Sequence, residues 1–290
     1  MPERDESTPI TRTDFQLPSP DGGPPVRGDV RVLEGQRADR AIVLVHGFKG
    51  FRGYAFFPGL ARAAAARGYA AVTFDFSHNG IGEDGRDDFS AMHLFTEQTH
   101  SRNLDEIRRV LDVLASGALL GRPARRIGLM GHSRGGGEAV LAAAENPRVD
   151  ALVTWAAIAS VADRWTPEQV AAWEAGRSVE IENARTHQQM PAGPAYWRDV
   201  QAHRDRLDIP AAAARLDVPW LIIHGDADTS VPVDEGRRLF DAAGDATELL
   251  VVEGADHGFG GKHPYAGATP ELRMVADATL DWFDTYLEQD

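Results

Sequence analysis

Apolar residues along the chain fall into short unbroken runs that alternate with longer amphipathic stretches. AIVLVHG (41–47) is continuous, rich in β-branched residues and ends at a glycine, which is the pattern of a strand buried on both faces of a parallel sheet. AFFPGLARAAAAR (55–67) is helix-prone and stops at Gly68, a helix terminator. YAAVTFDF (69–76) reads as a strand, and 97–116 as a helix carrying Leu104, Ile107, Val110, Leu111 and Leu114 at helical spacing. Residues 125–130 read as a strand, 133–145 as a helix and 151–157 as a strand. The rhythm breaks over 160–210, a polar, helix-like stretch with Trp165, Trp173, Tyr196 and Trp197. It resumes with WLIIHG (220–225), a helix over 233–243, a strand over 247–253 and an amphipathic final helix over 270–288. Near the start, 14–34 holds two strand-like runs around SPDGGPPVRG, whose Gly and Pro residues predict a hairpin turn.

Alternating strands and helices imply a mostly parallel sheet covered by helices on both faces. The expected organisation is a flexible segment over 1–13, polar and frayed, then one α/β domain over 14–290 with a helical lid insertion at about 160–210.

Composition narrows the function classes. The chain has 290 residues, 43% hydrophobic and 26% charged, enough apolar material for a large core. The net charge of −14 argues against nucleic acid, which requires a basic surface, and against a polybasic membrane contact. Cysteine is absent, which excludes disulfides, thiolate catalysis and cysteine-ligated metals. The charged start, MPERDESTPITRTDF, lacks the apolar run of a secretory signal. No stretch approaches the roughly 18 to 20 apolar residues of a spanning helix. A cytoplasmic protein is expected.

The chemistry centres on Gly131-His132-Ser133-Arg134-Gly135, which follows a predicted strand and opens a predicted helix. A nucleophilic serine must project from a very tight strand-to-helix turn, and flanking glycines remove the clashes that turn creates. The helix then directs its positive end at developing negative charge. Serine needs a base, and the base an orienting acid, expected in the order Ser, Asp or Glu, His. Asp228 follows the strand WLIIHG, and His257 follows the strand ELLVVE. Strand ends on one edge of a parallel sheet converge in space. Asp226 and Asp256 compete with Asp228, Asp226 as an Asx-turn residue, and His263, in a Lys-His-Pro loop, competes with His257. The backbone N–H groups of Phe48 and Arg134 are expected to form an oxyanion hole, with side-chain identity mattering little. The Arg134 side chain is expected in a surface salt bridge, with a substrate carboxylate as the alternative.

Taken together, these residues resemble the α/β-hydrolase superfamily. More closely, they resemble bacterial feruloyl and cinnamoyl esterases and dienelactone-hydrolase-like enzymes. The matching pieces are His46-Gly47-Phe48, Phe74-Asp75-Phe76 with Gly80 and Gly82, Gly131 through Gly136, His224-Gly225 through Asp228 to Val231-Pro232, and Asp256-His257. The similarity covers about 40–158 and 215–288 and leaves out the insertion. It implies an eight-stranded, mostly parallel sheet, the triad Ser133, Asp228 and His257, and cofactor-free acyl transfer to water. Hydrolysis of a small-molecule carboxylic ester is the leading expectation. A peptidase, a lactone or thioester hydrolase, or an acyltransferase would use the same triad, and one fold hosts many reactions. A non-catalytic binding protein would normally lack a triad member.

Trp165, Trp173 and Trp197 are candidate substrate contacts in a lid over an apolar acyl pocket, or they pack the insertion onto the core. His78, Asp84, Asp87 and Asp88 lie in a polar loop without a recognised ligand spacing. That loop is read as solvated, and no metal or cofactor is expected. His132 is read as part of the nucleophile turn. His187 and His203 have no partner identifiable from sequence.

Overall fold

The computed structural model describes residues 9–82, 89–183 and 186–288. The chain opens with strands β1 (Ile10–Leu17), β2 (Val26–Leu33) and β3 (Arg40–Val45), then helix α1 (Phe57–Ala66) and strand β4 (Ala70–Asp75). Helices α2 (Met92–Thr96) and α3 (His100–Ala115) lead to β5 (Arg126–His132), α4 (Arg134–Glu145) and β6 (Ala151–Trp155). The insertion holds α5 (Pro167–Glu174), β7 (Val179–Glu182), β8 (Gln189–Ala192) and α6 (Pro194–Ala202). Helix α7 (Ile209–Ala213) returns the chain to β9 (Trp220–Gly225), α8 (Val233–Ala242), β10 (Thr247–Val252) and α9 (Pro270–Leu287).

The main sheet has eight strands in the order β1-β2-β4-β3-β5-β6-β9-β10. The pairs from β4 through β10 are parallel, and β2 runs antiparallel to both its neighbours. Side chains alternate across it. Ala41, Val43 and Val45 of β3 join a core with α3 and α4, whereas Ile42 and Leu44 join a second core with α1 and α9. Both faces are buried, which is why AIVLVHG reads as an unbroken apolar run. The larger of these side chains, Ile42, Val43, Leu44 and Val45, each contribute roughly 1.5–3 kcal/mol on burial.

Local signals set the helix ends. The Thr99 and Thr269 hydroxyls accept from Arg102 N and Leu272 N at the starts of α3 and α9, satisfying otherwise orphaned donors. Beyond α1, Gly68 takes φ 91°, a conformation that costs glycine least.

Two expectations change. Strand β1 starts at Ile10, inside the segment expected to fray, because residues 10–17 pair with β2 in register from Ile10 opposite Leu33. Backbone pairing orders a polar edge strand that buries little. The insertion is also not wholly helical. β7 and β8 form a separate antiparallel hairpin, in which buried Met190 sits opposite half-buried Ile181. Four-residue strands are too short for their alternation to stand out against a helical pattern. Among the described residues, no helix is long and apolar enough to cross a membrane.

Candidate active site

Ser133 stands between β5 and α4 with φ 58° and ψ −124°. Non-glycine residues rarely adopt such a conformation, and three segments hold it here. Ser133 N–H donates to Trp155 O of β6 at 2.9 Å, while Ser133 O accepts from Gly136 N at 2.9 Å and from Ile158 N at 3.3 Å. The turn leaves no room for side chains at its glycines. A Cβ on Gly131 would lie 2.2 Å from Gly135 O, and one on Gly135 would lie 2.3 Å from His46 O.

Asp228 and His257 meet beyond the ends of β9 and β10. The strand ends are themselves tightly apposed, since a Cβ on Gly225 would lie 2.2 Å from Ala255 O. His257 Nδ1 is 2.7 Å from Asp228 Oδ2, and Asp228 Oδ1 accepts from Ser230 N at 2.8 Å and Val231 N at 2.9 Å. Burial pushes the Asp228 carboxyl up, but the His257 bond and charge and the two N–H donors outweigh it and hold the group below the usual carboxylate range. The rival carboxylates serve turns. Asp226 accepts from Gly254 N, and Asp256 accepts from Gly258 N and Gly260 N. His263 accepts from Ala55 N and stacks on Tyr54.

His132 does more than fill the turn. It is buried, and its Nε2 lies 2.9 Å from the backbone oxygen of His257. Burial, then the neighbouring His257 charge, lowers its pKa to about 3. The ring is therefore neutral over the ordinary pH range, and its Nε2–H donates to the His257 carbonyl.

The loop after β3 lies against the nucleophile turn. A Cβ on Gly47 would be 3.0 Å from Ser133 Cβ and 3.5 Å from its Oγ. His46 bonds Gly47 O through Nδ1 and accepts from Phe76 N through Nε2. Its pKa is lowered to about 4, by burial first, which fits that neutral tautomer. Arg134 opens α4, so its N–H has no acceptor within the helix. Its side chain is not in a surface salt bridge. It is buried, with Nε 3.6 Å from Glu138 Oε1, Nη1 donating to Gln98 and the guanidinium 5.0 Å from the centre of the Phe48 ring. A helix that packs its first turn into the sheet edge carries that side chain inward. Glu138 is fully buried and accepts from His100 Nδ1 and Asn103 Nδ2, both at 2.8 Å.

Ser133, His257, Phe48 and Arg134 line one cavity of about 310 Å³. Of the insertion tryptophans, Trp165 lines it. Trp173 packs behind Trp165 at 4.9 Å and donates to Ala192 O. Trp197 stacks on Trp173 and borders grooves other than this cavity. Lys49, Tyr54, Arg164 and Tyr196 also line it and were not singled out as site residues from sequence. Lys49 adjoins the His46-Gly47-Phe48 motif and was the one with a local signal.

The other histidines considered from sequence have partners away from Ser133. His78 is buried, not solvated, with Nδ1 2.6 Å from Ser77 Oγ. Asp84, Asp87 and Asp88 lie outside the described residues. His187 pairs with Glu182 and His203 with Asp199. No group of three or more metal-ligating side chains occurs among the described residues.

A hydroxyl on a strained turn, an imidazole on a buried carboxylate and a neighbouring loop of backbone N–H groups are the parts that acyl transfer requires. Comparison with known proteins follows the same direction. The model of the alpha/beta hydrolase family matches residues 42–267. An uncharacterized 31.7 kDa protein in the traX-finO intergenic region of Escherichia coli is 29% identical, over 89% of this chain and 94% of that one. A monoacylglycerol lipase of Mycolicibacterium smegmatis is 26% identical, over 85% of this chain and 88% of that one. The structure of Est1E from Butyrivibrio proteoclasticus with ferulic acid bound superposes with TM-score 0.71 at 19% identity, covering 95% of this chain and 100% of that one.

Proposed function

The chain belongs to the α/β-hydrolase family, and from that premise we propose that it is a serine hydrolase that cleaves small carboxylic esters through an acyl-enzyme. Ser133 Oγ attacks the ester carbonyl while His257 takes its proton. Asp228 orients the imidazole and stabilises its charged form. The N–H groups of Phe48 and Arg134 receive the oxyanion. His257 then protonates the leaving alcohol, and a water activated by the same imidazole releases the acid and restores Ser133. No cofactor takes part in these steps.

The observation that carries this reading is the 2.7 Å contact between His257 Nδ1 and buried Asp228, on the same cavity as a serine held at φ 58°. Esters are favoured over other acyl substrates by the similar proteins, one a monoacylglycerol lipase and one solved with ferulic acid. A cavity of about 310 Å³ suits a small molecule.

The test is a screen of p-nitrophenyl esters of rising chain length together with hydroxycinnamate esters. Wild-type protein is expected to turn over at least one series and to be labelled by a fluorophosphonate. Ser133→Ala is expected to lose labelling and at least about 10³-fold in kcat. Wild-type turnover by Ser133→Ala would sink the assignment.

A further inference from the structure

The two residues whose backbones are assigned to the oxyanion hole also touch through their side chains. The Arg134 guanidinium lies 5.0 Å from the centre of the Phe48 ring. Phe48 belongs to the loop after β3 and Arg134 to the first turn of α4, so no short stretch of chain fixes the distance between their N–H groups. The Phe48 loop is held by contacts from distant segments: Lys49 Nζ donates to Glu182 O and Asn79 Nδ2 to Gly50 O. The Phe48 ring also meets Phe95 at 5.4 Å and Trp165 at 6.1 Å, with Arg134 the buried cation among these neighbours. The loop closes with a Gly50 N to Gly47 O bond of 3.1 Å, and Lys49 takes φ 55°.

Arg134 is held from inside the core, by charge at Nε and by a hydrogen bond at Nη1. Its side chain is 6% exposed and Glu138 is fully buried at 3.6 Å. Glu138 is tied in turn to His100 and Asn103 of α3, and Arg134 Nη1 donates to Gln98 just before that helix. Burying such a pair is costly, and an aliphatic residue often packs as well or better. An aliphatic side chain, however, cannot donate along its edge and offer a cationic plane to a ring at the same time.

We propose that the Arg134 side chain is a positioning residue: braced against Glu138 and Gln98, it holds the Phe48 ring and thereby the Phe48 N–H where the oxyanion forms. This rests on the serine-hydrolase reading and adds that side-chain identity at both oxyanion-hole residues matters.

The test uses the full chain, a p-nitrophenyl ester and the matching trifluoromethyl ketone. Ser133 Oγ adds to the ketone carbon, its proton passes to His257, and the carbonyl oxygen becomes the anion in the hole. Concentrations are set by active-site titration, so that misfolded protein does not count. Arg134→Met is expected to lower kcat about tenfold to hundredfold, short of losing a donor outright. KM should stay within about twofold, and the ketone Ki should rise by the same factor as kcat falls. Phe48→Leu keeps the buried ion pair, so it reports even if Arg134→Met does not fold. It is expected to act in the same direction, and the double variant to be no worse than the weaker single variant. Unchanged kcat and Ki in Phe48→Leu, or an effect confined to KM, would overturn the brace while leaving the hydrolase reading intact. Absence of Ser133-dependent turnover in wild-type protein would bring down both.

Discussion

His257 is held from two sides, its ring by Asp228 and its backbone carbonyl by His132. The second contact joins residues 125 apart and carries no sequence signature. His132 looked like part of a turn because its partner is a main-chain atom, which any residue could supply. Replacing His132 by leucine removes the donor and is expected to lower kcat/KM about tenfold. Glutamine, whose Nε2–H₂ can reach the same carbonyl, is expected to restore most of it. Steady-state kinetics on the two variants check this, and equal rates for both would remove the role. The glycines around Ser133 were legible because each answers to a local demand of the turn. Choosing Asp228 over Asp226 and Asp256 was a question of direction. All three follow strand ends and accept turn N–H groups through Oδ1, and only the fold shows that Asp228 turns its Oδ2 onto His257.

Strands buried on both faces and capped helices leave local traces, so most of the main sheet could be read from the chain. The start of β1, over 10–13, and the β7–β8 hairpin could not. Their order comes from pairing between segments, and neither presents a long apolar pattern. Gly128 in the middle of β5 is an intermediate case. It weakens the strand signal, and its reason lies on α9: a Cβ there would meet the Phe283 ring at 2.6 Å. Gly128→Val is therefore expected to cost about 1–3 kcal/mol through overpacking. Thermal unfolding would register this as a lower Tm. An unchanged Tm would mean that α9 yields without cost.

At the scale of the molecule, an acidic chain hides several of its charges. Glu106 is fully buried and accepts from Ser77 N and Ser77 Oγ, with His78, Arg102 and Asp21 linked around it. Burial lifts its pKa from 4.5 to about 7, against the Ser77 bonds and the Arg102 charge. The folded state thus binds a proton that the unfolded chain has released between those values. The stability this supplies is complete below pH 4.5 and is lost as pH rises towards 7, about 3 kcal/mol in all. Glu106→Gln removes the titration. Its stability relative to wild type, from denaturant unfolding at pH 4.5 and 7.5, is expected to improve by about that amount at the higher pH. A constant difference would show that folding does not raise the Glu106 pKa.

The sequence by itself determined the alternation of strands and helices, the tight turn at Ser133 and the order in which an acid and a base follow it. Each of these depends on neighbours in the chain: side-chain period, backbone freedom at glycine, a polar residue beyond a strand end. Tertiary structure alone decided which carboxylate faces His257, that His132 holds that residue's backbone, that Arg134 turns inward onto Phe48, and that Trp165 but not Trp197 reaches the cavity. Those outcomes depend on distances between segments far apart in the chain, which no local pattern encodes.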